Sequence, residues 1–209
     1  MRRFLAVVLL AAVADVAAAQ AGGAPPAQGT ERPPCALTAA QAPDVRGLRL
    51  GLTTRHVFEM FPGSAQDKAV REALAAAPAA FGAVSVVIKP SDYAPNPSYD
   101  GVSSVNIKFI DGLVAEFTVS STAPEWQHVD DFVANFVTGT RLPPADAWAP
   151  YVGMDAQLKN LTCKGFKLGI FAGGKNVNHN YVKVTDTEAD QRWRERRAKA
   201  RQAAKEAKP

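Results

Sequence analysis

Apolar positions follow a helical spacing in three stretches, alternate in several others, and lose periodicity at both ends of the chain. From Thr53 to Gly63, Val57 and Phe61 lie four apart with Phe58 beside them, which predicts a short helix capped by Thr53 or Thr54 and stopped by Pro62-Gly63. Ser64-Ala65-Gln66-Asp67 resembles a capping box with Asp in place of Glu. The helix it would start carries Val70, Ala73, Leu74 and Ala77 on one stripe and ends at Pro78. Thr122-Ala123-Pro124-Glu125 reads as a capping box with Pro in the first turn, and it predicts a third, amphipathic helix ended by Gly139. That helix places Trp126, Val129, Phe132, Val133, Phe136 and Val137 on one side, opposite Gln127, His128, Asp131 and Asn135.

Residues 84–88 form a β-branched run, and residues 103–120 form a hairpin around Asp111-Gly112. Two turns compete there. A two-residue turn pairs Ile110 with Leu113 and mixes polar with apolar side chains on both faces. A three-residue loop with Gly112 as a left-handed bulge pairs Phe109 with Leu113. It puts Val105, Ile107 and Phe109 on one face with Leu113, Ala115, Phe117 and Val119, leaving Asn106, Lys108, Glu116 and Thr118 outside. Burial sets register, so the bulged loop is expected. After a Pro-rich connection from Leu142 to Pro150, three more strand-like runs follow at residues 158–163, 166–171 and 178–184.

The two ends read differently. Residues 1–19 carry two arginines, an apolar run interrupted by Asp15, and Ala17-Ala18-Ala19, the pattern of a secretory signal peptide cut after Ala19. The run is shorter than the roughly 20 residues a membrane span needs. Residues 20–34 form a Gly-, Pro- and Ala-rich flexible linker. Residues 35–186 form a single α+β domain with two short N-terminal helices and an antiparallel sheet of about five or six strands, on which one amphipathic helix packs. No βαβ alternation is present, which excludes a nucleotide-binding parallel sheet. At residues 185–188, Thr-Asp-Thr-Glu reads as a further capping box. The basic helical tail behind it, residues 187–209, is polar nearly all round and should project from the domain or dock by Trp193 alone.

Charge changes the picture once it is divided. Residues 187–209 hold eight of the chain's 24 basic and four of its 20 acidic residues, including Arg192, Arg194, Arg196, Arg197, Lys199 and Arg201. Without them and the signal peptide, residues 20–186 hold 14 basic and 15 acidic residues, so the domain itself is near neutral. A basic whole-chain balance therefore does not argue for nucleic acid, which export also disfavours. The tail suits contact with anionic lipid headgroups or acidic cell-wall polymers.

Two cysteines, Cys35 and Cys163, are present, and in an oxidising compartment such a pair is expected to bridge. Neither has a Cys or His at ligand spacing, so no metal or other cofactor is expected. Residues 91–101 bring Asp92, Tyr93, Tyr99 and Asp100 onto one Pro-rich loop. The rings there either meet a protein or glycan partner or fold back on the core. His128 and Asp131 sit three apart on a helix, and His179 lies in the Asn-rich segment 176–180 beside Gly173-Gly174, which reads either as the lining of a polar pocket or as the outward face of a strand. No nucleophile elbow, metalloprotease helix, phosphate loop or Cys–His signature occurs.

The segment Leu50-Gly51-Leu52-Thr53 through Phe61-Pro62, with the hairpin Phe109-Ile110-Asp111-Gly112-Leu113-Val114, resembles small exported helix–helix–sheet domains. These include the small lipoprotein of the outer-membrane β-barrel assembly machine and the β-lactamase-inhibitor-like fold. Leu52 stands where those domains usually have Met, and no lipobox precedes Cys35. The whole pattern of Cys35, the Trp126 helix and Cys163 is similar to uncharacterised secreted proteins of environmental bacteria. The resemblance implies a non-catalytic, protein-binding habit and no site residues. The expectation is thus a periplasmic or secreted interaction module whose partner is a protein or envelope component. The alternatives are a small hydrolase or ligand-binding enzyme using His128, Asp131 or His179, and an envelope-attachment protein acting through the tail.

Overall fold

Seven strands form one antiparallel sheet, and its two faces are treated differently. In the computed structural model, residues 34–121, 126, 128–150, 157–173 and 180–206 are described. The expected signal peptide, residues 20–33 of the expected linker, the expected Thr122–Glu125 box and His179 lie outside them. The strands are β1 (Ala83–Ile88), β2 (Val102–Ile110), β3 (Leu113–Ser121), β4 (Ala149–Pro150), β5 (Leu158–Thr162), β6 (Phe166–Phe171) and β7 (Asn180–Asp186), in the order β1-β2-β3-β7-β6-β5-β4. The helices are α1 (Thr54–Met60), α2 (Lys68–Ala75), α3 (Val129–Val137) and α4 (Thr187–Glu206). The class is α+β, as expected. The strand beyond six is β4, two residues of the Pro-rich connection at the sheet edge, where Pro is tolerated and periodicity has no room to show.

Registration explains the core. Val86 faces Ile107, Ile107 faces Phe117, Phe117 faces Val184, Val184 faces Leu168 and Leu168 faces Leu161. Each row is apolar across the sheet, so a slip of one residue on any strand would bury polar side chains. Val57 of α1, Val70 of α2, Val129 and Val133 of α3, and Trp148 close over this face.

The caps shift from the expected residues. Thr53 does cap α1, accepting the His56 N–H at 3.3 Å. Ser64–Gln66 instead forms a 3-10 turn, and Asp67 caps α2 by accepting from Ala69 and Val70 at 2.7 and 3.3 Å. A carboxylate at that point also complements the positive end of the helix. α3 starts at Val129 with His128 at the cap position, and Trp126, outside the helix, stacks on Phe132 with ring centroids 5.8 Å apart.

The hairpin corrects the expected loop. Asp111 (φ 53°) and Gly112 (φ 77°) form a two-residue turn, and Ile110 pairs with Leu113. The bulge sits inside β3: Phe109 faces Val114 while Lys108 faces Glu116, so Ala115 is the extra residue. Val114 and Phe117 then share the core face, and Leu113 is left 45% exposed. The two-residue turn places Ile110 and Ala115 on the second face, which local alternation alone disfavours. That face is covered there: Ala83, Ile110, Ala115 and Ala189 of α4 form a second small core against Trp193.

Cys35 and Cys163 form a disulfide, with Cα atoms 4.4 Å apart. The strands around it hold the approach: the Lys164 N–H donates to the Cys35 carbonyl at 2.9 Å and the Gly165 N–H to the Leu37 carbonyl at 3.1 Å. A Cβ at Gly165 would run into the backbone of Thr38 and Ala39, so this turn admits no side chain.

Candidate interaction surface on the C-terminal helix

The polar outer face of the sheet gains a helix because its polar residues find partners there. Asp186, not Thr185, caps α4: its carboxylate accepts the Ala189 N–H at 2.8 Å, while the Thr185 hydroxyl donates to Glu116 at 2.9 Å. One turn on, Asp190 meets Lys108 of β2 at 2.7 Å and Arg194 at 2.7 Å. The Lys108 ammonium also lies 4.3 Å from the centre of the Trp193 ring. Trp193 donates its indole N–H to the Ala80 carbonyl at 3.1 Å, tying α4 to the loop before β1. Arg196 reaches Asp111 at the hairpin tip at 2.8 Å.

Of these contacts the Lys108–Asp190–Trp193 group carries the most weight, because its charges are mostly shielded from water (side-chain exposure 21% and 17% for the pair). Arg194 and Arg196 are too exposed for their pairs to contribute more than about 1 kcal/mol each. Burial pushes the Asp190 carboxyl up, but the Lys108 hydrogen bond and charge, with Arg194, outweigh it and hold the group below the ordinary carboxylate value. A depressed folded-state value stabilises the docked form above the unfolded value and loses that contribution as pH falls through the folded one. The Trp193 indole N–H resonance should therefore keep its docked position down to about pH 4 and lose it only below, whereas Asp190→Asn should show no such acid transition. An unchanged acid transition in that variant would assign it to another group.

The helix lies against the domain as far as Ala200, which is half-buried. Residues 201–206 are all exposed, and from Arg196 onward the described helix carries Arg196, Arg197, Lys199, Arg201 and Lys205 against Glu206 alone. At 1.5 Å per residue the stretch after Ala200 extends about 9 Å. The expectation of a helix docked by Trp193 alone is corrected: Ala189, Asp190 and Arg196 also hold it. Beneath the helix, a groove of about 400 Å³ runs along the hairpin, floored by Ile110, Leu113 and Ala115 and walled by Arg192, Arg196 and Lys199.

The other candidates fall in different places. Tyr99 is 3% exposed, its ring 4.6 Å from that of Phe61 and its hydroxyl 3.8 Å from Met60 Sδ. Burial, with Asp44 nearby, pushes its phenol up to about 12, the Arg46 charge opposing. Tyr99 is therefore a core residue and offers no exposed ring. Tyr93 is half-buried against the core, its phenol raised by burial and then by Asp67 and Asp92. Asp92 and Asp100 are exposed. His128 and Asp131 are exposed at the start of α3, where Asp130 pairs with Lys159. Among the described residues no three of His, Cys, Asp and Glu converge as a metal-binding group, and no helix is long and apolar enough to cross a membrane. The sequence pattern missed the Lys108–Asp190–Trp193 group because its members are 82 and 85 residues apart, and only the sheet brings them together.

Comparison with protein-family models, curated proteins and solved structures returns no match for this chain.

Proposed function

We propose that this chain is an exported, non-catalytic binding module that engages an anionic envelope surface through the projecting half of α4. The observation that carries the reading is the division of this helix: its first turns are fixed to the sheet by Asp190, Trp193 and Arg196, and its last turns present Lys199, Arg201 and Lys205 to solvent. A docked base makes the charge row pre-oriented, which lowers the ordering cost of binding. The exposed turns have Ala203 and Ala204 but no large apolar residue, so they would adsorb by charge without inserting. The disulfide fits an oxidising compartment, where such surfaces lie.

Anionic vesicles should sediment the disulfide-bonded chain at low salt and release it at high salt, and zwitterionic vesicles should not bind it. Each cation near such a surface contributes about 1 kcal/mol. The triple variant Lys199→Gln, Arg201→Gln, Lys205→Gln should thus lose about 100-fold in affinity. Equal binding by the triple variant, or binding that ignores salt, would overturn the proposal.

A further inference from the structure

The end of the core face holds a polar exception. β3 ends beside the start of β7 there, with Ser121 opposite Asn180. Asn180 precedes Val182 and Val184 on the core side and is 3% exposed. Its Oδ1 accepts the buried Gly173 N–H at 2.7 Å, which fixes the amide and turns its NH2 the other way. Among the described residues, Nδ2 has no hydrogen-bond partner. A buried donor left unpaired is uncommon and calls for an explanation.

Asn180 and Ser121 line a cavity of about 140 Å³, walled by Val45, Val119, Val182 and the rings of Phe132 and Phe136. Arg46 lies at the same cavity. It sits in a two-residue turn at φ 57°, closed by the paired backbone bonds of Val45 and Leu48 at 2.9 and 3.0 Å. Its Nη1 donates to the carbonyls of Ser98 and Asp100 at 2.7 and 3.2 Å. One nitrogen is thereby anchored, and the guanidinium keeps further N–H groups to offer. The nearby Asp44 carboxylate is engaged with the Gly47 N–H at 2.6 Å. The polar lining therefore combines an unpaired amide donor, the Ser121 hydroxyl and a fixed positive charge, with Tyr181 also at the wall and the other lining side chains apolar.

We propose that this cavity binds a small organic acid, a carboxylate on a short apolar chain. The carboxylate would accept from Asn180 Nδ2 and from the Arg46 guanidinium, and its chain would lie against Phe132 and Phe136. Donors that end on a charged acceptor form stronger bonds than neutral pairs, and a guanidinium suits the planar carboxylate. The volume corresponds to roughly five waters, enough for a carboxyl group and two or three carbons.

The ¹⁵N-labelled full chain, titrated with butyrate, butanol and butylamine, tests this. Butyrate should shift the Asn180 side-chain NH2 resonances saturably, and the alcohol and amine should not. Arg46→Met, at an exposed turn, should weaken butyrate binding about tenfold or more, with amide shifts in the free protein confined to its own turn and to the 98–101 segment that it bonds. Asn180→Asp, which turns the donor into a repelling carboxylate, should abolish it. If Asn180→Asp does not fold, Arg46→Met still decides. Butanol binding as well as butyrate, no ligand moving the Asn180 resonances, or Arg46→Met binding butyrate unchanged would each overturn the proposal.

Discussion

Replacing Cys35 and Cys163 together by serine should lower the stability of the folded chain by about 4–5 kcal/mol, the chain-entropy value for a loop of this size. The bridge joins residues 128 apart and ties the segment before α1 to the turn between β5 and β6. The neighbouring contacts remain without it, because Lys164 and Gly165 still donate to the Cys35 and Leu37 carbonyls. The loss therefore acts mainly by giving the unfolded chain back its freedom. Urea unfolding of the double variant should show a lowered midpoint with little change in the folded far-ultraviolet spectrum. The unaltered chain under reductant should follow the same curve. Coincident midpoints with and without the bridge would mean that the 35–42 segment adds nothing to global stability.

Phe117→Ala should cost about 3–5 kcal/mol, whereas Leu113→Ala should stay within about 0.5 kcal/mol. Phe117 is fully buried at the centre of the sheet, between Ile107 on β2 and Val184 on β7. Truncating it leaves a cavity that rigid strands on both sides cannot close. Leu113 follows the turn and is 45% exposed. The pair reads the hairpin register directly, since a three-residue loop would have put both side chains in the same core. Denaturation midpoints of the two variants settle it: comparable losses would restore that loop.

The same hairpin shows how far local pattern carries. Alternation from Val105 to Phe109 and from Phe117 to Val119 identifies both strands and their buried side. It does not locate the bulge, because Ile110 and Ala115 count as misplaced only if the second face is bare. α4, more than 70 residues later, covers it through Ala189 and Trp193. The caps show the same limit at short range. Thr53 reads correctly, yet Asp67 and Asp186 displace Ser64 and Thr185, because a carboxylate meets the helix N–H groups with full charge and sits where the chain actually turns. Among candidate contacts, Tyr99 reads equally well as an exposed ring or as core, and packing on Phe61 decides. For the Asn-rich segment that ends at Asn180, the sequence offers both a polar pocket lining and an outward strand face, and only the burial of Asn180 on the core side decides for that residue.

By itself the sequence determined the α+β class, the helical and strand stretches, the near-neutral domain with its basic tail, and the pairing of Cys35 with Cys163. Each follows from periodicity, composition or the count of cysteines, which neighbours along the chain are enough to set. Only the tertiary structure decided where the sheet's second face is covered, how α4 divides into a docked and a projecting half, and which buried amide is left facing a cavity. Those depend on groups such as Lys108 and Asp190, 82 residues apart, meeting at 2.7 Å. Such energies arise from desolvation and contact in space, and no property of either residue's own segment encodes them.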